Sequence, residues 1–450
     1  MEERRKPRLS WEPDEEFVER TRMHAYGDWL EAFHGVAVSS YEELWDWSVG
    51  DVEGFWSSIA EYFGVIFHEP PQAVLDGAQM PGARWFHGAT LSYPEHIFRD
   101  GGENDVAIRH ASELRPLDTM TWGQLRALTA RIQAGLRACG VGRDDRVAAY
   151  MPNIPETVAA FLATAGLGAI WSSCSPDFGA RSVIDRFAQI EPKVLLAVDG
   201  YRYGGRDFDR TAVVQEIHAQ VGGTLVRIGY LGGDGFPDVF LGPADAELQL
   251  EPVPFDHPLW VLYSSGTTGL PKAIVQGHGG ILLEQLKHQS LHLDMHEDDR
   301  AFWFTTTGWM MWNFLVGVLL TPASIVLYDG GAGGSASPSL DRLWDLAAEA
   351  GVTCFGTSAA YIAGCMKAGV TPAHGRDLSA LRSVGSTGSP LSPEGFRWIY
   401  EQLGSDTWLF STSGGTDVCT AFVGGVPLLP VYEGELQARS LGCDVQSFDE

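Results

Sequence analysis

Short apolar runs alternate along the chain with longer segments in which apolar residues recur at helical spacing. The apolar runs are bounded by turn residues, which predicts buried strands at 146–151, 169–173, 194–198, 225–230, 259–265, 301–307 and 323–330. The helical spacing predicts helices at 122–140, 155–167, 280–292, 340–350, 359–367 and 393–403. Continuous apolar strands alternating with helices are typical of parallel sheets covered on both faces. The pattern therefore predicts an α/β fold.

The two ends of the chain differ from this central pattern. Its 450 residues are enough for two or three domains. Residues 1–100 are rich in tryptophan and acids, and SYEELWDWSV and VEGFWSSIAEYFGV predict short helices that pack on a larger body. Residues 101–405 carry the alternating pattern, so we expect two αβ subdomains there. From 406 to 450, TWLFSTSGG and ELQARSL favour strands, which predicts the start of a β-rich subdomain.

Composition narrows the choice of partners. The chain has 31 Lys and Arg against 58 Asp and Glu, a formal charge of −27. Such a field repels nucleic acid and anionic lipid, so we expect neither a nucleic acid nor a membrane as partner. The N-terminus lacks an apolar signal region and no stretch is apolar over about 18 residues, which favours a cytoplasmic protein. The six cysteines show neither a CxxC pair nor zinc-ligand spacing.

The clearest chemical signal is LYSSGTTGLPKAIVQGHGG at 262–280. A predicted buried strand leads directly into a loop of Gly, Ser and Thr, followed by a lysine. Glycines let backbone amides approach an anion, hydroxyls add donors and a lysine adds a charge, so a triphosphate is the expected ligand. Pro271 precedes Lys272, whereas a Walker A loop needs Gly before its lysine. The alternative is a solvated turn with a surface lysine.

The full string resembles the phosphate loop of the adenylate-forming enzymes, the superfamily of acyl-CoA synthetases, adenylation domains and luciferases. RVAAYMPNIPE, LRSVGSTGSPLSPEGFRW and WLFSTSGGTDV are similar to other core motifs of that superfamily. The leader segments SYEELWDWSV and FWSSIAEYFGV resemble its acetyl-CoA synthetase branch. The resemblance implies two mostly parallel β-sheets covered by helices in αβαβα layering, with a smaller β-rich subdomain.

The resemblance also implies a site for ATP and Mg²⁺. The β- and γ-phosphates would be held by Ser264, Ser265, Gly266, Thr267, Thr268, Gly269 and Lys272. The adenine would lie on Gly388, Ser389 and Pro390. The nucleotide would also contact Ser413, Gly414, Gly415 and Thr416, with Thr416 on the α-phosphate. Asp417 stands where relatives use a glutamate to hold Mg²⁺, and the catalytic residues would be Lys272, Thr416 and Asp417.

Two further segments bear on the acid that is activated. FTTTGWMMWNFLVG and STSGGTDVCTAFVGG look most like the ligases that act on acetoacetate. Gly414 stands where acetate-specific relatives carry a tryptophan, so we expect room for a four-carbon keto acid; the alternative is that Gly414 and Gly415 form only a flexible turn. The acyl group would contact Trp309, Met310, Met311, Asn313 and Gly414, with Asn313 and Ser413 as partners for the keto oxygen.

The site for CoA is marked only weakly. Arg202 and Arg206 flank two glycines in a stretch that resembles an Arg-Gly-Gly-Arg contact to CoA phosphates in relatives. An arginine fork can bond phosphate bidentately. A surface loop with two ordinary arginines is the alternative.

The last feature is the absence of lysine after Lys367. In relatives a mobile C-terminal domain supplies a lysine for adenylate formation and then rotates to build the thiolation site. We therefore expect the large N-terminal domain without its C-terminal lid, nearly inactive in the full reaction. The function expected of the whole enzyme is AMP-forming ligation of acetoacetate to CoA. The alternatives are a ligase for acetate, propionate or hydroxybutyrate, and a non-catalytic nucleotide-binding module.

Overall fold

The computed structural model describes residues 7–77, 79–233, 235–264, 269–334 and 340–448. The helices are α1 Glu15–Arg20, α2 Arg22–His34, α3 Tyr41–Gly50, α4 Val52–Tyr62, α5 Tyr93–Phe98, α6 Trp122–Ala138, α7 Pro155–Gly166, α8 Ala180–Phe187, α9 Thr211–Val221, α10 His278–Lys287, α11 Met310–Val316, α12 Arg342–Ala350, α13 Ala359–Ala368 and α14 Pro393–Leu403. A π-helical turn, His288–His292, follows α10, and a 3₁₀ turn, Gly317–Leu320, follows α11.

The strands before the phosphate loop are β1 Leu9–Trp11, β2 Ala73–Asp76, β3 Arg84–His87, β4 Thr90–Leu91, β5 Val106–Ser112, β6 Asp118–Thr121, β7 Arg146–Tyr150, β8 Ile170–Cys174, β9 Val194–Val198, β10 Gly200–Tyr203, β11 Arg206–Asp209, β12 Thr224–Ile228, β13 Val253–Pro254 and β14 Pro258–Ser264. The strands after it are β15 Lys272–Gly277, β16 Arg300–Trp303, β17 Ser324–Asp329, β18 Cys354–Ser358, β19 Ser383–Thr387, β20 Trp408–Ser411, β21 Ser413–Gly414, β22 Ala421–Gly424, β23 Val431–Tyr432 and β24 Ala438–Arg439.

Two large sheets carry the predicted buried strands. One has six strands in the order β12-β9-β7-β8-β14-β15, parallel except for the antiparallel edge strand β15. The other has seven strands in the order β20-β19-β18-β16-β17-β5-β6, parallel except for the antiparallel edge strand β6. The prediction of an α/β fold with mostly parallel sheets and helices is confirmed.

An aromatic cluster joins the strands of the six-stranded sheet to the helix that follows β16. The Phe161 ring on α7 lies 5.5 Å from Trp260 on β14 and 6.1 Å from Trp312 on α11, measured between ring centroids. Trp171 on β8 stacks on Trp312 at 6.4 Å. All four side chains are fully buried. Because aromatic residues bury the most apolar surface per side chain, this cluster fixes α11 against the six-stranded sheet.

The tryptophan-rich leader packs on the end of the described chain. The Tyr41 hydroxyl donates to the carbonyl oxygen of Arg439 at 2.5 Å, and the Trp45 indole donates to that of Cys443 at 3.2 Å. The Arg439 guanidinium stacks over the Trp45 ring. Trp45 of the leader thus packs against the small antiparallel sheet formed by β21, β22 and β24. Among the described residues, the structure holds no helix with the length and apolar content needed to cross a membrane.

Candidate active site

Many of the predicted site residues converge at one edge of the seven-stranded sheet. Strands β16, β18, β19 and β20 are parallel neighbours, so their carboxyl ends meet at that edge, where ligands of α/β sheets usually bind. A cavity of about 480 Å³ opens there. Its lining comes from Trp309, Met310, Met311, Phe314, Thr387, Gly388, Ser389, Pro390, Leu391, Phe396, Ser411, Thr412, Ser413, Gly414, Gly415, Thr416, Thr420, Gly434, Glu435 and Leu436.

The lining divides into an apolar side and a hydroxyl-bearing side. The start of α11 supplies Trp309, Met310, Met311 and Phe314. The segments after β19 and β20 supply serine and threonine hydroxyls, and Glu435 is the one carboxylate among the lining residues. A concave site with an apolar wall and a few polar groups suits a small organic ligand that carries a polar end.

The predicted adenine segment forms a fixed turn between β19 and α14. Gly388 has φ of +87°, a conformation that favours glycine. Ser392 caps α14 by accepting a hydrogen bond from the Gly395 backbone, with Pro393 at the first helical position. The Thr387 hydroxyl donates to the carbonyl oxygen of Thr412 at 2.9 Å. This hydrogen bond therefore ties the turn to the residue that follows β20.

Gly414 is required by a close backbone approach. A Cβ at this position would lie 1.9 Å from the carbonyl oxygen of Thr420 and 2.9 Å from the Cα of Ala421. The bond from Cα to a Cβ would therefore point toward the start of β22, and this geometry argues against the expectation that a side chain at 414 would decide the room for a four-carbon keto acid. A Cβ at Gly415 would meet only the Phe422 ring at 3.5 Å, an ordinary contact.

Helix α11 is placed by hydrogen bonds at its start. The Thr307 hydroxyl donates to the carbonyl oxygen of Met151 at 2.6 Å, and the Ser173 hydroxyl donates to that of Thr307 at 2.8 Å. These bonds tie the residues just before α11 to the ends of β7 and β8 in the other sheet. Asn313, expected to bond the keto oxygen, is fully buried and lies outside the residues that line the cavity. Within the described part of the chain, its side-chain amide has no hydrogen-bond partner.

The phosphate loop connects two paired strands. Ser264 ends β14 and pairs with Lys272 at the start of β15. Gly269 has φ of +104°, a position that favours glycine, and Lys272 is exposed. Ser265, Gly266, Thr267 and Thr268 lie outside the described residues. The strand pairing therefore fixes both ends of the predicted phosphate loop.

The turn at Thr416 and Asp417 is held by a residue that the motif analysis missed. The Gln276 side-chain amide on β15 donates to the carbonyl oxygens of Thr416 and Asp417, both at 2.7 Å. Gln276 lies four residues after Lys272, so strand alternation places both on one face of β15. That alternation could have singled out Gln276, but nothing local could have named its partners 140 residues away.

The donor set fits Mg²⁺ that arrives with a nucleotide. Among the described residues, no group of three His, Cys, Asp or Glu side chains could hold a metal ion. The exposed Asp417 carboxylate has no ion-pair partner in the described part of the chain. Mg²⁺ usually keeps several waters and binds one or two carboxylates plus substrate phosphates. The Asp417 carboxylate, next to the Thr416 hydroxyl of the cavity lining, matches that mode.

The nearby thiol is not a second nucleophile. Cys419 is fully buried, and burial together with the Glu284 charge raises its pKa well above the usual range. Since the thiolate is the reactive form, Cys419 stays protonated and inert at neutral pH. The turn therefore offers a hydroxyl and a carboxylate, and no thiolate.

The predicted CoA residues lie on the β10–β11 hairpin, outside the lining of the cavity. The Arg202 guanidinium pairs with Asp207 at 2.5 Å and 3.1 Å, and this hydrogen bond lowers the pKa of the Asp207 carboxyl. The backbone amides of Gly204 and Gly205 donate to the Glu113 carboxylate at 2.8 Å and 2.7 Å. Arg206 is exposed. The structure therefore leaves Arg206 accessible, while Arg202 and the glycine amides already contact carboxylates.

Comparison with known families agrees with the fold and the cavity. The family model described as AMP-binding enzyme matches residues 101–443. A second model, the acetyl-coenzyme A synthetase N-terminus, matches residues 41–96, which include α3 and α4. The chain therefore belongs to the AMP-binding enzymes.

Individual relatives narrow this class. The acetoacetyl-coenzyme A synthetase of Rhizobium meliloti (strain 1021) is 44% identical over 98% of this chain and 69% of that protein. The acetoacetyl-CoA synthetase of Xenopus tropicalis is 35% identical over 100% of this chain and 69% of that protein. The solved structure of the Streptomyces lividans acetoacetyl-CoA synthetase superposes with a TM-score of 0.94 at 51% identity, over 98% of this chain and 70% of that one. The chain belongs to the acetoacetyl-CoA synthetase family of AMP-binding enzymes.

Proposed function

We propose that the protein activates acetoacetate with ATP and transfers the acyl group to CoA. The acetoacetate carboxylate attacks the α-phosphorus of ATP, which forms acetoacetyl-adenylate and releases pyrophosphate. The CoA thiol then attacks the acyl carbon, loses its proton and releases AMP. The observation that carries this proposal is the similarity to acetoacetyl-CoA synthetases along almost the whole chain. The two sheets and their helices fit the αβαβα layering expected of such enzymes.

In this proposal the residues divide by the part of the substrates that they contact. Gly388, Ser389 and Pro390 line the adenine, and the strand pair that ends at Ser264 and Lys272 presents the loop that holds the β- and γ-phosphates. Charge develops on phosphoryl oxygens during adenylate formation, so positioned donors and cations supply most of the rate.

The α-phosphate and the acyl group meet at the Thr416 turn. The Thr416 hydroxyl would donate a hydrogen bond to the α-phosphate, and Asp417 would hold Mg²⁺, which would neutralise charge on the phosphates. Trp309, Met310 and Met311 cover the acyl chain from the apolar side of the cavity. Arg206 is the accessible arginine for a CoA phosphate on the hairpin, since Arg202 would first have to leave Asp207.

The test is acetoacetate-dependent exchange of labelled pyrophosphate into ATP. We expect exchange with acetoacetate to exceed that with acetate, propionate and 3-hydroxybutyrate. Asp417→Asn should lower the exchange rate by about 10²–10³, the usual effect of removing one electrostatic contact at a developing charge. Asp245→Asn is the matched control, because Asp245 is exposed on a loop away from the cavity. ATP binding without exchange on any of the four acids would favour the non-catalytic module instead.

A further inference from the structure

One side chain joins the strand after the phosphate loop to the Thr416 turn. The Gln276 amide nitrogen uses both of its hydrogens on the carbonyl oxygens of Thr416 and Asp417. Its amide oxygen accepts a 2.6 Å hydrogen bond from the indole of Trp260, which is fully buried. A flipped amide would set its oxygen against two carbonyl oxygens and its hydrogens against an N–H. The Gln276 amide therefore has one orientation, and the carbonyl oxygens of the turn have fixed positions.

The turn needs such an anchor because it contains strained backbone. Cys419 has φ of +59°, a conformation that residues with a Cβ rarely adopt and that persists only where the surroundings hold it. The Thr420 hydroxyl, one residue further, donates to the Glu284 carboxylate on α10. Gln276 and Glu284 lie on the continuous segment that follows the phosphate loop. That segment therefore holds the turn at two points, on either side of the strained residue.

We propose that Gln276 is a positioning residue, which fixes Thr416 and Asp417 relative to Lys272 so that one nucleotide can contact all three. Lys272 and Gln276 lie on the same face of β15, about 13 Å apart along the strand at about 3.3 Å per residue. Gln276 is outside the cavity lining and acts only through the turn. The proposal rests on the proposed function, in which Thr416 meets the α-phosphate and Asp417 holds Mg²⁺.

The variant that tests it is Gln276→Glu. Its carboxyl group offers at most one donor for the two carbonyl oxygens, and none when it is ionised, so we expect the dissociation constant for MgATP at pH 7.5, measured by titration calorimetry, to rise at least tenfold. Gln133→Glu is the matched control. Gln133 is 1% exposed, and its side chain bonds the backbone of Gln249 at 2.7 Å and 3.0 Å, with no residue of the cavity involved. We expect less than a twofold change in MgATP affinity for this control.

Two further readouts separate positioning from a general loss of structure. Protonation of the new carboxyl restores one donor, so the ratio of the variant's dissociation constant to that of the wild type should fall as the pH is lowered through the pKa of that carboxyl, which burial at this position raises. Hydrogen exchange of the backbone amides at 416–420 should be faster in Gln276→Glu and unchanged in Gln133→Glu. Equal MgATP affinity in Gln276→Glu and wild type overturns the proposal.

The remaining outcomes are also decisive. A wild-type protein that binds no MgATP contradicts the proposed function, and unchanged hydrogen exchange at 416–420 in Gln276→Glu then overturns the anchoring role separately. If Gln276→Glu does not fold, Gln276→Met takes its place, because it removes both amide donors while keeping an uncharged side chain of similar length. We expect at least a tenfold rise in the MgATP dissociation constant for Gln276→Met, and no rise would overturn the proposal.

Discussion

Replacing Asp329 with asparagine should stabilise the protein at alkaline pH. Asp329 ends β17, and its carboxyl is enclosed by protein although the residue keeps some solvent contact. Burial raises its pKa from 3.8 to about 7; the hydrogen bond from Tyr230 opposes this, and the charges of Glu113 and Asp177 reinforce it. The folded state therefore binds this proton more tightly than the unfolded state. The stability that the proton contributes is complete below about pH 4 and is lost as the pH rises through 7.

The size of the effect follows from the two pKa values. A pKa difference of about three corresponds to a change of about 4 kcal/mol in the free energy of unfolding across the full titration. Between pH 5 and pH 8 the expected change is about 2 kcal/mol, once screening by the remaining solvent contact is included. Asparagine keeps an oxygen acceptor for the Tyr230 hydroxyl, which lies 2.9 Å from the carboxylate. From pH 5 to pH 8 the free energy of unfolding of Asp329→Asn should therefore rise by about 2 kcal/mol relative to that of the wild type.

Urea unfolding at pH 5, 6, 7 and 8 measures this gap. Asp299→Asn is the control with the opposite sign. Burial raises the pKa of Asp299, but the charge and hydrogen bonds of Arg382 outweigh it and hold that pKa below its usual value. Asp299→Asn should therefore lose stability at pH 7, because the charge of the half-buried Arg382 loses the nearer of its two carboxylate partners, Asp299 and Asp294. A gap for Asp329→Asn that stays constant from pH 5 to pH 8 would refute the reasoning.

Two further predictions concern the turn behind the cavity. Lys287→Met should lower the free energy of unfolding, measured in urea, by about 3–5 kcal/mol, because the buried Glu284 carboxylate loses the ammonium group that lies 2.8 Å from it. The double variant with Glu284→Gln should recover at least half of that loss. Gly414→Ala should lower both the melting temperature and the MgATP affinity, because its Cβ would lie 1.9 Å from the Thr420 carbonyl oxygen, whereas Gly415→Ala should leave the melting temperature unchanged. Similar melting curves for the two alanine variants would contradict this.

Buried strands could be predicted from the sequence where neighbours in a sheet dictate the pattern. The run 194–198 is β9 without a change of bounds, because a central parallel strand is apolar on both faces. The run 301–307 was only half right, since β16 ends at Trp303. Thr305 and Thr307 have strand-like character, but the Thr307 hydroxyl bonds Met151 across to the other sheet. A pattern of residue types cannot show that a chain leaves its sheet to meet another one.

The site shows the same division between local and distant causes. Motifs contiguous in sequence placed Gly388 and Thr416, and the structure brings both to the cavity. The direction of a side chain could not be predicted from the sequence. Asn313 lies buried outside the cavity lining, and a Cβ on Gly414 would point toward β22. Contacts such as Gln276 to Thr416 join segments 140 residues apart, and only the packing of the sheets brings them together.

The placement of these segments assigns different tasks to the two sheets. Lys272 and the ends of the phosphate loop belong to the six-stranded sheet, whereas Gly388 and Met311 follow strands of the seven-stranded sheet. A nucleotide that contacts both would therefore cross the seam between the sheets, and under the proposed function its α-phosphate would lie near the turn that Gln276 ties to β15. Because β22 backs directly on Gly414, the cavity can change size more readily on its α11 side. Methionine adapts to irregular space, so under the proposed function we expect α11 to select the acyl group and the turn to hold the phosphates.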